Sequence, residues 1–305
     1  MIKANKALIF KTVSDAQNNL DKLHHVDDNG FTALFFCEDP AVISFLIKQG
    51  LDVNHQSKQG FTPLMFSVRF PYDNYDKMRI LIDNGADLNA VDEHGQNALF
   101  ACNSLIYTEA LVEAGININV VDKYGQNVLF DRMHYEAYES FDYLLDKGID
   151  TSSIDELGQN ILFHHGLSLN DVKRLIAAGA NPHQIDNEGR NVLSCAGSEE
   201  TIGYYVSLGV DPLQMDQDGN NLFFQRAYHY NESLYPAISL LGVDINARNN
   251  KGHNIIQHLF IDIDEYLYIM DRIRPYYQNK IDSWISLGLI IDTETQALIN
   301  NTLNT

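Results

Sequence analysis

The sequence predicts an all-α protein built from short helix–turn–helix modules that repeat along the chain. Three observations support this prediction. Two series of glycines recur in a fixed register, Thr or Asn follows each glycine of the first series, and an apolar helical stripe precedes glycines of the second series. A module of 30 to 35 residues is too small to bury its apolar face alone, so we expect neighbouring modules to stack.

Glycines of the first series mark the start of each module, which is named by that glycine. They are Gly30, Gly60, Gly95, Gly125, Gly158, Gly189, Gly219 and Gly252. Two residues later comes Thr or Asn and then two apolar residues, as in GFTPLMF and GQNVLFD. The side-chain oxygen of Thr or Asn accepts from free N–H groups at a helix start, so each should begin a short first helix. These residues are Thr32, Thr62, Asn97, Asn127, Asn160, Asn191, Asn221 and Asn254.

Glycines of the second series mark the end of a second helix. Each lies ten residues before the next glycine of the first series; they are Gly50, Gly85, Gly115, Gly148, Gly179, Gly209 and Gly242. Apolar residues seven, four and three positions earlier form one helix face, as Ile43, Leu46 and Ile47 do, although Ser239 interrupts the pattern. Glycine adopts the left-handed conformation that ends a helix with little steric cost.

The ten-residue spacer between the two glycines is predicted to form a β-turn finger. In six of the eight modules Asp stands three residues before the first-series glycine, where its side chain favours an Asx-type turn. These residues are Asp27, Asp92, Asp122, Asp155, Asp186 and Asp216.

Together these patterns resemble the ankyrin repeat family. Thr62, Pro63 and Leu64 match that family's T-P-L-H helix opening, and LIDNGADLNAVDEHG at residues 81–95 matches its helix end and finger. The resemblance implies an all-α ankyrin-repeat solenoid of about eight units with terminal caps. Phe replaces the family's His in five units, so we expect Phe packing to replace part of the hydrogen-bond network between repeats. These residues are Phe35, Phe100, Phe130, Phe163 and Phe224.

The ends of the chain depart from the regular spacing. We expect N-terminal capping helices in residues 1–27, the repeat array in 28–260, and an extended C-terminal repeat and cap in 261–305. Trp284 and Gly288 repeat the helix-and-glycine pattern after a longer interval.

The composition argues against several kinds of partner. The chain has 21 basic and 41 acidic residues, a formal net charge of -20, which disfavours nucleic acid and anionic membrane surfaces. The same charge favours a basic protein partner, although acidity that only maintains solubility is the alternative. We find neither a membrane-length apolar run nor a secretory leader, and the three cysteines are far apart, so we expect a reducing cytoplasm.

No residue pattern points to catalysis, a cofactor or a metal. His164 and His165 are adjacent, so on a helix they point in different directions and cannot chelate as an i, i+4 pair would. Cys37 and Cys102 occupy a position that favours a small buried residue, and Cys195 lies one position short of it. The glycines recur with the modules and do not form a phosphate-binding loop. We therefore predict no enzyme activity, no cofactor and no metal site.

Two surfaces are candidates for binding a partner. The resemblance implies that partners lie against finger tips and the exposed side of first helices, and solvated turns are the alternative. The residues predicted there are Glu93, His94, Tyr124, Asp131, Glu156, Glu188 and Asp218. The second candidate is the turn between the two helices, where longer modules carry tyrosines that could instead cover the neighbouring repeat. Those residues are Tyr72, Tyr75, Tyr135, Tyr138, Tyr228 and Tyr230.

The functional prediction is a protein-binding module that is a monomer when free. We expect an inhibitor, of the immunity-protein or antitoxin kind, that covers a basic partner such as a bacterial toxin. The alternative is a secreted effector or cytosolic scaffold that binds a host or cellular protein.

Overall fold

The computed structural model describes residues 9–69, 73–102, 104–130, 138–227, 232–261 and 270–303. Within these ranges the regular secondary structure is helical, and β-structure is limited to two isolated bridges. The chain divides into two compact units, Met1–Ser153 and Ile154–Thr305. The predicted all-α repeat fold is confirmed.

The first unit opens with a helix at Val13–Gln17 and a 3-10 turn at Leu20–Lys22. Pairs of helices follow, at Ala33–Phe36 and Pro40–Lys48, Pro63–Ser67 and Tyr75–Asp83, and Ala98–Ala101 and Leu105–Glu113. Residues 128–130 are also helical, and the unit ends with a helix at Tyr138–Asp146. First helices pack on neighbouring first helices and second helices on second helices, as expected for stacked modules.

The second unit repeats the plan, and two of its first helices are shorter. Its helices lie at Ile161–Phe163, Leu169–Ala177, Val192–Ser194, Glu199–Ser207, Leu222–Gln225, Glu232–Leu234, Tyr235–Leu240, Ile255–Ile261, Met270–Ser286 and Thr293–Leu303. The first helices at 161–163 and 192–194 are single 3-10 turns. The last helix packs against the helix at Ile255–Ile261.

Asparagine N-caps make two kinds of hydrogen bond. Asn160 Oδ1 accepts from Leu162 N–H at 3.0 Å, and Asn160 Nδ2 donates to the Asn181 carbonyl at 2.8 Å, 21 residues later. The same pair of bonds is made by Asn97, Asn127, Asn191 and Asn221. Each side chain therefore caps its helix and also fixes the start of the following finger.

The threonines at the N-cap position make fewer side-chain hydrogen bonds than the asparagines, and one of them does not cap its helix. Thr62 Oγ1 accepts from Met65 N–H at 3.3 Å. The Thr32 hydroxyl is buried without a hydrogen-bond partner, so the predicted cap is wrong for that module. In the Gly252 module Asn254 and Gln257 instead cap each other's backbone, at 2.9 and 3.0 Å.

The apolar stripe of the second helix is narrower than predicted. Residues seven and four positions before the glycine, such as Ile43 and Leu46, are fully buried. The residue three positions before it, such as Ile47, is only half-buried. Ser239 lies at this half-buried position, so its hydroxyl keeps access to water and the helix tolerates it.

The second-series glycines end their helices as predicted. Gly50 has a φ of 87°, its N–H donates to the Ile47 carbonyl at 2.9 Å, and Leu51 N–H reaches back to the Leu46 carbonyl at 3.2 Å. These bonds satisfy carbonyl groups that the helix leaves free at its C-terminus.

The five phenylalanines at the family's histidine position are all buried, as predicted. Buried cationic side chains also link neighbouring modules, which the sequence did not indicate. Lys77 Nζ donates to the Phe35 carbonyl at 2.8 Å, and Lys280 Nζ donates to the Ala227 carbonyl at 2.5 Å. An Arg226 guanidinium nitrogen donates to the carbonyls of residues 193 and 194. Each cation therefore satisfies carbonyls at or just beyond the end of a first helix in the preceding module.

Candidate functional site

Each finger is a β-turn held by the side chain three residues before the glycine. Asp92 Oδ1 accepts from the N–H groups of His94 and Gln96 at 2.8 and 3.0 Å, and Gly95 N–H donates to the Asp92 carbonyl at 2.9 Å. The other five predicted aspartates make the same bonds, which confirms the Asx-type turn. In the two remaining modules the side chains of Ser57 and Asn249 accept from backbone N–H groups of the turn instead.

Neighbouring finger tips are joined by backbone hydrogen bonds. In the second unit Asn187 N–H donates to the Leu157 carbonyl at 2.8 Å, and Gln217 N–H donates to the Glu188 carbonyl at 2.8 Å. In the first unit Lys123 N–H donates to the His94 carbonyl at 2.8 Å. Within each unit, hydrogen bonds therefore connect the backbones of the finger tips that carry these side chains.

The close approach of neighbouring tips requires glycine in the Gly60 module. Its φ is 80°, and a Cβ placed there would lie 2.8 Å from the Asp92 Cα of the next finger. A side chain at this position would therefore strain its own backbone and collide with its neighbour.

The predicted tip residues are at the surface. Glu93 lies 3.8 Å from His94, with each side chain almost half exposed, and Lys123 Nζ lies over the ring of exposed Tyr124 at 5.0 Å. In the second unit Glu156, Glu188 and Asp218 are all exposed.

One of these tip carboxylates is partly neutralised. Glu188 pairs with Arg190 at 2.9 Å, and Arg190 also pairs with the turn residue Asp186 at 2.8 Å. An exposed ion pair of this kind contributes little to stability, so Glu188 remains able to exchange partners.

An exposed aliphatic side chain recurs on fingers of each unit, four residues before the glycine, and the sequence analysis missed this set. Its members, each 40–53% exposed, are Val26, Val91, Val121, Ile154, Ile185 and Met215. We call this set the aliphatic row. The signal in the sequence is an apolar residue that recurs directly before the turn aspartate in six fingers.

Sequence comparisons agree with this architecture. A family model described as ankyrin repeats in three copies matches residues 2–92. An ankyrin repeat-containing protein of Schizosaccharomyces pombe is 32% identical over 59 residues, which are 19% of this chain and 28% of that relative. The chain thus aligns with less than a third of the relative's length.

Residues 2–92 match the ankyrin repeat family, and the described residues have an all-α ankyrin-repeat fold. Ankyrin repeats are protein-binding modules, and the repeated pairing of helices and fingers extends through both units of this ankyrin repeat protein.

The tyrosine surface of the ankyrin repeat protein is described only in part. Tyr75 is one-third exposed, and its ring centroid lies 5.9 Å from that of Tyr107 in the next repeat, as expected for a residue that covers its neighbour. Tyr138 begins a helix, but its side chain is not described. Tyr235 is buried and its hydroxyl donates to the Arg226 carbonyl at 3.3 Å. Tyr72, Asp131, Tyr135, Tyr228 and Tyr230 lie outside the described residues.

The cysteines of the ankyrin repeat protein fit packing roles. Cys37 and Cys102 are buried as predicted, and burial raises the pKa of the Cys37 thiol. Cys195 Sγ lies 3.8 Å from His165 Nε2. Burial raises the pKa of the Cys195 thiol, whereas burial and then the charges of Arg226 and Arg190 lower the pKa of His165. This pair is therefore a neutral thiol beside a neutral imidazole.

The described residues contain no group of three or more His, Cys, Asp or Glu side chains placed to hold a metal ion. None of the described helices combines the length and the apolar character needed to cross a bilayer.

Proposed function

We propose that this ankyrin repeat protein is a cytoplasmic inhibitor that covers the surface of a basic partner protein, such as a bacterial toxin. The observation that carries the proposal is that exposed acidic residues stand on the hydrogen-bonded finger tips of each unit. Glu93, Glu156, Glu188 and Asp218 lie at the tips, beyond the aspartates that hold the turns.

The overall charge supports the same partner chemistry. Residues 1–153 contain 12 basic and 22 acidic residues, and residues 154–305 contain 9 and 19, so each unit carries a net charge of -10. Part of this acidity belongs to the turn aspartates, which have a structural role. Those carboxylates still contribute to a negative field that speeds encounter with a basic protein and disfavours acidic ones.

The mechanism of inhibition is steric. A finger row fixed by backbone hydrogen bonds loses little conformational freedom on binding, so more of the contact energy remains as affinity. The three free cysteines support a reducing compartment.

The test compares two quadruple charge reversals. The tip variant carries Glu93→Lys, Glu156→Lys, Glu188→Lys and Asp218→Lys. The control carries Asp83→Lys, Glu113→Lys, Asp146→Lys and Asp282→Lys, which change net charge equally but lie on exposed positions of second helices.

Affinity capture from native cells identifies proteins retained by the wild type and the control but lost with the tip variant. We expect a basic protein whose activity falls when the purified wild type is added. Its association rate should fall at least tenfold with the tip variant at low salt, and should fall with added salt for the wild type. Capture of only neutral or acidic proteins, or salt-independent association, would refute the proposal.

A further inference from the structure

We propose that the aliphatic row of the second unit forms the centre of the partner interface and selects a basic, amphipathic segment. This inference rests on the proposed function and extends it. Apolar contact provides most of the affinity for the partner, and charge mainly increases the association rate.

The three members of the row in this unit lie on neighbouring fingers. They are Ile154, Ile185 and Met215, and the tips of their fingers are joined by the backbone bonds from Asn187 and Gln217. A side-chain bond between neighbouring fingers reinforces this link, since Asn187 Nδ2 donates to the Glu156 carbonyl at 2.9 Å. The three aliphatic side chains therefore form a strip, one on each of three neighbouring fingers whose tips are hydrogen-bonded to each other.

The fold itself does not require an aliphatic residue at this position. Gln56 and Arg248 occupy it in the Gly60 and Gly252 modules, and their fingers make the same closing bonds. A preference of extended backbone for β-branched residues explains Val and Ile but not Met215. Exposed apolar side chains that recur where Gln and Arg are tolerated point to a binding role.

Leu213 adds exposed apolar surface to the same finger. It is 53% exposed and stands two residues before Met215, in the turn that opens this finger. In four of the seven other fingers this position holds an asparagine whose Oδ1 accepts from the next module, as Asn54 Oδ1 accepts from Asp87 N–H at 2.7 Å. At Leu213 that bridge is replaced by exposed apolar surface.

The flanking charge indicates what covers the strip. Glu156, Glu188 and Asp218 lie two or three residues beyond the three row members, so each of these fingers has an aliphatic residue next to an acidic one. The complementary segment places apolar side chains on the strip and Lys or Arg side chains against the tips. Residues buried at the centre of an interface carry most of its affinity, whereas rim charges mainly affect the association rate.

The experiment uses three synthetic peptides of equal length that alternate Leu with Lys, Ser with Lys, and Leu with Glu. Their affinities are measured by fluorescence anisotropy for the full chain. The row variant carries Ile154→Gln, Ile185→Gln and Met215→Gln, which copy the residue found at Gln56. The control carries Ile106→Gln, Leu240→Gln and Ile285→Gln, because these residues are equally or more exposed but lie on second helices.

We expect the Leu/Lys peptide to bind the wild type and the control alike, and the row variant at least tenfold more weakly. The Ser/Lys and Leu/Glu peptides should each bind the wild type at least tenfold more weakly than Leu/Lys does. The ratio between wild type and row variant should persist at high salt, because apolar contact is not screened. The single variant Met215→Gln should lose less affinity for the Leu/Lys peptide, and it replaces the triple variant in the test if that variant does not fold.

Several outcomes overturn the inference. Equal binding of Ser/Lys and Leu/Lys, or an unchanged affinity of the row variant, would show that charge alone holds the partner and would leave the proposed function standing. Equal binding of Leu/Glu and Leu/Lys would remove the charge selection. Failure of the wild type to bind Leu/Lys would also refute the inference, while the capture experiment tests the proposed function separately.

Discussion

The modules at Gly30 and Gly60 attach to their neighbours differently from those between Gly95 and Gly219. In the first pair the N-cap position holds threonine, and aromatic rings fill the space between modules. In the later modules that position holds asparagine, whose amide bonds to the next finger.

The aromatic region is a cluster of four phenylalanines. Phe31, Phe35, Phe36 and Phe66 have ring centroids 4.9 to 5.9 Å apart, mostly in edge-to-face arrangements. In the Gly158 module the position of Phe31 holds Gln159, whose Nε2 donates to Asp186 Oδ2 of the next finger at 2.9 Å.

This difference shows that one backbone repeat can be joined by two kinds of interaction. Aromatic packing depends mainly on filling volume, so it is sensitive to loss of side-chain size. Amide bonds to carbonyls are directional, and each contributes only about 1 kcal/mol net. We therefore expect the two regions to respond differently to substitution.

The largest expected effect is that of Phe66→Ala in the aromatic region. Removing a buried ring leaves a cavity among three other phenylalanines, which costs about 3–5 kcal/mol of unfolding free energy. Hydrogen exchange measured by mass spectrometry should accelerate at least a hundredfold in residues 30–69. The matched control is Gln225→Ala, at the same position in a later module, with an expected cost of about 1 kcal/mol. If Phe66→Ala and Gln225→Ala lowered the free energy of unfolding equally, the two regions would not differ in this respect.

An effect of intermediate size concerns the buried ammonium of Lys77, which lies beside the aromatic cluster. Burial lowers its pKa from 10.5 to about 8. Between these values the unfolded chain binds more protons than the folded one, so stability should rise as pH increases from 8 to 10.5. The free energy of unfolding should increase by about 3 kcal/mol over this range, and Lys77→Met should abolish this increase.

The measurement for Lys77 is urea unfolding at several pH values. The difference between wild type and Lys77→Met isolates this group from other titrations, and exposed Lys48→Met serves as the control. A pH-independent difference between wild type and Lys77→Met would show that Lys77 is not buried as a cation.

The smallest expected effect tests the two N-cap chemistries by exchange. Asn160→Thr keeps a capping oxygen but removes the amide that donates to the Asn181 carbonyl, so it should cost about 1–2 kcal/mol. Thr62→Asn should be neutral or stabilise by up to about 1 kcal/mol, because it supplies the missing donor. Urea midpoints of both variants provide the comparison, and a destabilised Thr62→Asn would show that the aromatic region cannot accept the amide link.

The sequence alone determined the interactions between residues a few positions apart. The Asx-type turn at Asp92 and the helix end at Gly50 follow from local steric and hydrogen-bonding rules, which hold in any module with the same residues. The exposed finger tips followed as well, because turn side chains point to solvent whenever the turn forms.

The tertiary structure decided everything that depends on the neighbouring module. Thr32 fits the N-cap pattern but is buried without a bond, and Asn160 reaches a carbonyl 21 residues away. The exposure of the aliphatic row was not predicted from the sequence, because it depends on which residues pack against the fingers. Burial is set by what packs against a residue, and in this protein the packing partner lies one module away along the chain.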